Sequence, residues 1–159
     1  MELDNKKKLG IALLATLGVG AIGGYCTASE IDDWYESLVK PFFNPPNYVF
    51  GPVWTILYVM MAYSFYLIWK EEPSDKRKWC SRFFIAQLAV NLSWSFVFFK
   101  AHAIGQALID IGIMWVLINI TIGMYNRINK LAAWLMVPYM LWVSFASVLN
   151  YALWLMNKH

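Results

Sequence analysis

LAAWLMVPYMLWVSFASVLNYALWLM, residues 131–156, runs from Leu131 to Met156 without a single Asp, Glu, Lys or Arg. About 20 helical residues cross the hydrocarbon core of a bilayer, and this stretch exceeds that length. A small water-soluble domain has too high a surface-to-volume ratio to cover such a run. Working back toward the N-terminus, four more apolar blocks of spanning length appear, at Leu9–Ala28, Tyr48–Trp69, Trp79–Phe99 and Ile104–Tyr125. Backbone groups that face lipid must be satisfied within their own segment, which favours helices. The alternation over ~10 residues that marks a transmembrane barrel strand does not occur. The expectation is an all-α polytopic membrane protein, one domain over residues 1–159, built as a five-transmembrane-helix bundle.

Composition agrees with lipid as the main partner. Apolar residues make up 60% and charged residues 14%, against about 25% charged in soluble domains, and mean hydropathy is +0.48. The net charge of +3 is scattered between apolar blocks rather than gathered in a stripe, which excludes nucleic acid as a partner. Cys26 and Cys80 have no metal or redox spacing. They fall near opposite membrane faces, roughly 30 Å apart, so no disulfide within the chain is expected. His102 and His159 are the only histidines and belong to no metal-ligand pattern. No nucleophile–base pair, paired carboxylates or phosphate-cradling glycine loop stands out.

The connections differ in kind. Residues 29–47 (SEIDDWYESLVKPFFNPPN) combine acids, prolines and aromatics and are long enough to act as a lid. Residues 71–78 (EEPSDKRK) read as a solvated charged turn, and 100–103 and 126–130 as tight turns. Lys6, Lys7, Lys8, Lys70, Lys76, Arg77, Lys78, Arg82, Arg127 and Lys130 share one side, against Lys40, Lys100 and Lys158 on the other. The excess of Lys and Arg marks the cytoplasmic side or its equivalent. The N-terminus is expected there, with the acidic connection and the C-terminus opposite; the host membrane stays open. The first block also has the form of a secretory signal, with Cys26-Thr27-Ala28 as the cleavage region; a retained span is the favoured alternative.

Polar residues within spans are costly and therefore informative. Asp110 is the one acid well inside a span, roughly 9 Å below its outer end at about 1.5 Å per residue. The same count puts Trp54, Asn91, Trp94 and Asn150 about 8–12 Å deep and Trp142 near the midplane, as a floor. Gln87, Asn91 and Trp94 share one stripe of the third span. Trp54, Tyr58 and Met61 share one on the second, and Trp142, Ala146, Leu149 and Asn150 one on the fifth. Indoles with a few amides suit a flat, largely apolar ligand. Gln87, Asp110 and Asn150 are candidate polar groups of that pocket, although Asp110 could equally pair locally with His102 or Lys100. Asn119 reads as interhelical glue, and Trp69, Trp79 and Trp154 as interfacial belt residues. Ala12, Thr16, Gly20 and Gly24 form a small-residue stripe, suited to packing within the bundle or between two copies.

Several segments resemble the translocator protein / tryptophan-rich sensory protein family, the peripheral-type benzodiazepine receptors. They are WYESLVKPFFNPP (34–46), PVWTILY (52–58), QLAVNLSWS (87–95) and PYMLWVSFASVLN (138–150). The first span and much of the fourth match only as apolar blocks. The resemblance implies a five-helix bundle, commonly a homodimer, that binds porphyrins, isoquinoline- or benzodiazepine-type drugs and, in some members, cholesterol. It implies a pocket of Tyr35, Pro45, Trp54, Tyr58, Asn91, Trp94, Trp142, Ala146 and Leu149. Porphyrin chemistry would involve Trp54 and Trp142. The sterol pattern L/V-x₁₋₅-Y-x₁₋₅-K/R is not met, because Lys158 lies one residue too far from Tyr151.

The functional expectation is a membrane receptor for a porphyrin or haem-like tetrapyrrole, or a similar planar hydrophobic ligand, with no required cofactor. Trp34 and Tyr35 would belong to the lid. One alternative is a light- and oxygen-dependent porphyrin-degrading enzyme with Trp54 and Trp142 as its catalytic residues. Another is a small-molecule transporter, disfavoured because no internal repeat or pair of broken helices is visible.

Overall fold

The computed structural model describes residues 3–158; His159 lies outside them. Its long helices are α1 (Asn5–Ala28), α3 (Asn47–Trp69), α4 (Asp75–Ser95), α5 (Ile104–Asn126) and α6 (Lys130–Asn157), with a single-turn helix α2 (Trp34–Ser37) between α1 and α3. Five helices among the described residues are long and apolar enough to cross a membrane. They form a ring: α1 packs on α3 and α4, α3 on α6, and α5 closes the circle between α4 and α6.

The starts of α4 and α6 are set by side-chain caps rather than by hydropathy. Ser74 Oγ accepts from Arg77 N at 3.2 Å, so α4 begins at Asp75 and takes in the charged residues 75–78 expected to be a turn. Arg77 Nη1 then donates to the carbonyls of Trp69 and Glu71 at 3.1 and 2.6 Å, covering the end of α3. Asn129 Oδ1 accepts from Ala132 N at 3.1 Å and starts α6 one residue before the apolar run. At its other end α4 widens into a π-turn over Phe96–Lys100, with Ala101 N bonded to Phe96 O at 2.9 Å.

Two buried clusters divide the bundle along its length. The larger joins Leu57, Met61, Ile68, Phe84, Met114, Ile118, Tyr125, Met136 and Val143. The smaller sits at the α2 end and joins Tyr35, Phe98, Phe99, Ile104, Leu149 and Leu153. Outward faces are apolar as well: Leu14, Ile109, Trp134 and Leu141 are exposed, which is tolerable where hydrocarbon replaces water. Cys26 and Cys80 are free and buried.

The small-residue stripe of α1 packs inside the bundle over most of its length. Ala12 and Thr16 are buried, and a Cβ on Gly20 would lie 2.6 Å from the Tyr58 ring of α3. One turn further the approach shifts to Gly23, where a Cβ would meet Ser95 Oγ of α4 at 3.0 Å, while nothing lies within 4 Å of one on Gly24. Asn119 differs from expectation. Its amide donates to Trp115 O of its own helix at 2.8 Å, the local side-chain-to-backbone bond that the i−4 carbonyl offers.

Candidate functional site

In the half of the bundle nearest α2, the walls part around a cavity of about 490 Å³, within the range of small-molecule sites. α3 contributes Phe50, Trp54 and Tyr58, α4 contributes Asn91 and Trp94, the π-turn after it Phe98, and α6 contributes Trp142, Ala146, Leu149 and Asn150. α1 supplies a wall of small residues that includes Gly20, Ala21, Gly24 and Thr27, and Tyr35 of α2 covers the top. Among the described residues no Asp, Glu, Lys, Arg or His lines it. Such a space binds by stacking, apolar contact and a few hydrogen bonds, and it lacks a titrating acid or base.

The rings stand at fixed angles to one another. Trp54 stacks on Tyr58, with centroids 5.6 Å apart and planes at 29°, and meets Trp142 edge-on at 6.5 Å and 89°. Trp94 stacks on Phe98 at 5.0 Å and 23°. Phe50 bridges Trp142 at 6.2 Å and Tyr35 at 6.4 Å. Beneath this lies a buried polar chain. Tyr58 Oη donates to Asn91 Oδ1 (2.7 Å), Asn91 Nδ2 to Tyr139 Oη (2.9 Å), and Tyr139 Oη to Gln87 Oε1 (2.8 Å). Each donor finds an acceptor, so three helices are locked in register under the cavity. Trp94 Nε1 donates to Asn150 Oδ1 at 3.0 Å, and Asn150 Nδ2 to Ile104 O at 3.0 Å. Trp142 Nε1 is buried with no hydrogen-bond partner among the described residues.

The cavity thus brings together Tyr35, Trp54, Tyr58, Asn91, Trp94, Trp142, Ala146, Leu149 and Asn150. Four other candidates lie elsewhere. Gln87 is buried below the cavity, at the end of the polar chain. Pro45 lies in a separate open groove of the connection, with Asp32, Glu36 and Lys40. Trp34 is not among the lining residues and packs on Phe98 and His102. Asp110 is not a pocket group, because α5 sits behind α4 and α6 and contributes nothing to the lining. Its carboxylate accepts from Ser93 Oγ at 2.7 Å on the outer face of the bundle. Nor does it pair with His102 or Lys100, both of which reach Glu30.

Phe50, Phe98 and the α1 wall join the lining without having been expected there. A signal existed for the first two: Phe50 precedes Trp54 by four residues and Phe98 follows Trp94 by four, extending stripes already drawn. Tyr35 donates to Asn44 Oδ1 at 2.6 Å, with the Lys40 ammonium 5.3 Å from its ring. Burial pushes its phenol up to about 12. Among the described residues no three His, Cys, Asp or Glu side chains gather where they could hold a metal ion.

A family model described as TspO/MBR matches residues 11–155, which takes in every residue that lines the cavity. The chain belongs to the TspO/MBR family. It is 37% identical to "Tryptophan-rich protein TspO" of Archaeoglobus fulgidus, over 96% of this chain and 99% of that one. It is 36% identical to "Translocator protein" of Homo sapiens, over 92% and 87%. With "Tryptophan-rich sensory protein" of Cereibacter sphaeroides the identity is 34%, over 90% and 87%. Membership in the TspO/MBR family, together with the five spanning helices, makes this an integral multi-pass membrane protein.

Proposed function

We propose that this protein is a membrane receptor for a porphyrin or a similar planar, hydrophobic ligand held in the indole-lined cavity. The observation that carries the proposal is the convergence of Trp54, Trp94 and Trp142 from three helices on one uncharged space of about 490 Å³. Flat aromatic ligands gain about 1–3 kcal/mol per stacking ring, by analogy with bases on aromatic side chains. The unpartnered Trp142 N–H adds a donor that a ligand acceptor would satisfy after a small turn of the indole. With no charge in the lining, the carboxylates of a porphyrin would remain at the mouth, near the connection. Titration of detergent-solubilised protein with protoporphyrin IX tests this. Trp54→Ala and Trp142→Ala should each weaken binding roughly 5- to 150-fold, the range that corresponds to one stacking ring; unchanged affinity in both would remove the cavity as the site.

A second reading, light- and oxygen-dependent porphyrin breakdown, draws on the edge-on Trp54–Trp142 pair, two oxidisable indoles 6.5 Å apart at the cavity wall. Pigment loss under illumination should then collapse in the Trp54→Phe, Trp142→Phe double variant. Equal loss in the variant would mean bulk photobleaching.

A further inference from the structure

His102, in the turn between α4 and α5, is the only non-glycine residue with positive φ (53°) among the described residues. Bulky side chains rarely adopt this conformation and keep it only where their surroundings over-determine it. Two contacts do so. The imidazole lies flat on the Trp34 indole, 4.1 Å between centroids at 7°, and Nε2 is 3.0 Å from Glu30 Oε2. The other Glu30 oxygen is 3.3 Å from Lys100 Nζ, which also hydrogen-bonds Ser29 Oγ.

These contacts converge on the cover of the cavity. Glu30 O accepts from Tyr35 N at 2.9 Å, so the residue pinned by His102 also anchors the backbone of α2. Trp34 and Tyr35 are adjacent; the first is clamped by the imidazole, and the second is buried and faces the cavity. Trp34 also meets Phe98 edge-on at 5.6 Å, which ties the same corner to the ring stacked on Trp94.

We propose that His102 is a positioning residue for the lid: its stack on Trp34 and its bond to Glu30 hold α2 and Tyr35 over the cavity, and its protonation slows ligand exchange. The proposal rests on the receptor reading for its ligand but not for the latch itself. The described contacts place two charged groups at this corner, Glu30 on the segment after α1 and Lys100 at the end of α4. α2 presents only the uncharged Trp34, and Phe98 and Phe99 are apolar. An imidazolium binds a carboxylate more strongly than a neutral imidazole does, and over the indole face it adds a cation–π attraction. Histidine is the side chain that ordinarily changes charge between pH 5 and 8. The carboxyl of Glu30 is held below its ordinary range, chiefly by the hydrogen bond with His102, so it remains an anion across that interval.

The test is the release rate of protoporphyrin IX from the full-length protein in nanodiscs between pH 5.5 and 8.5. Release from the unaltered protein should be about two- to fivefold slower at the acid end, the scale of an exposed ion pair. His102→Gln should flatten that difference at the faster rate, and His102→Phe, which keeps the stack but not the bond, should be equally flat. The probe's own carboxylates titrate alike in all three, so the contrast between proteins carries the result. A flat profile in the unaltered protein, or a pH dependence that survives in His102→Gln, overturns the proposal. Should protoporphyrin fail to bind at all, the receptor reading fails, and the latch is read without ligand. Amide exchange over residues 31–38 should then be slower at pH 6 than at pH 8 in the unaltered protein and indifferent to pH in His102→Gln; equal exchange in both would sink it.

Discussion

Asn91 is the residue on which the site's rigidity turns. It accepts from Tyr58 and donates to Tyr139 while buried between α3 and α6, so its removal orphans a buried hydroxyl rather than merely deleting a bond. Asn91→Leu should cost about 1–3 kcal/mol, read as a lower unfolding midpoint in detergent. Adding Tyr58→Phe removes the orphaned hydroxyl and should restore part of the loss, an asymmetry that a simple packing defect would not show. Tyr35 gives a pH signature. Its folded phenol ionises at about 12, raised by burial from 10.0, so its contribution is complete below pH 10 and is lost as pH climbs from 10 toward 12. A tyrosinate absorbance titration of the unaltered protein minus Tyr35→Phe should show one phenol with a midpoint near 12. A midpoint at 10 would mean that α2 does not shelter it. The pocket residues were legible in sequence because tryptophans and amides spaced by four and seven residues share a helix face. Asp110 was not, since depth alone cannot say which way a side chain turns around its helix.

Among the elements, α1 approaches α3 closely at one level and stands free at the next. Gly20→Ala would press a methyl into the Tyr58 ring, 2.6 Å away, whereas Gly24→Ala would meet nothing within 4 Å. The first should destabilise by about 1–3 kcal/mol, as overpacking does, and the second should leave the unfolding midpoint unchanged or slightly raised, since alanine is the better helix former. Equal effects would contradict this packing of α1 on α3. Ser74→Ala, which removes the cap of α4, should cost about 1 kcal/mol. The existence and approximate bounds of the long helices were readable from hydropathy, but their ends were not. Asp75–Lys78 reads as loop by its charge, whereas the Ser74 cap, three residues before Arg77, makes it the first turn of α4. α2 and the π-turn were invisible for a different reason. Each is a few residues long and sits in contacts between distant segments, such as His102 stacked on Trp34 and Trp34 against Phe98, that no local pattern encodes.

For the molecule as a whole, five spanning helices put the chain's ends at opposite ends of the bundle; near the C-terminus, Asn157 Oδ1 accepts from Val39 N of the connection at 2.9 Å. Cysteines introduced at Asn5 and Lys158 should therefore react with an impermeant maleimide from opposite sides of sealed vesicles, with the Asn5 label on the side rich in Lys and Arg. Labelling from one side would refute the five-pass topology. The fold at this scale was the most legible part of the sequence, because hydrocarbon imposes one solution on long uncharged runs; the order of helices around the ring was not, because every face is apolar. That order has a consequence for ligand choice. Three sides of the chamber carry rings and amides braced against one another, whereas α1 offers chiefly glycine and alanine, with unfilled room at Gly24 and also at Gly51 of α3. Bulk introduced at those two positions would trim the chamber without meeting any stacked ring, so on the proposed receptor reading relatives differing only there would sort ligands by girth while keeping the same grip on their flat faces.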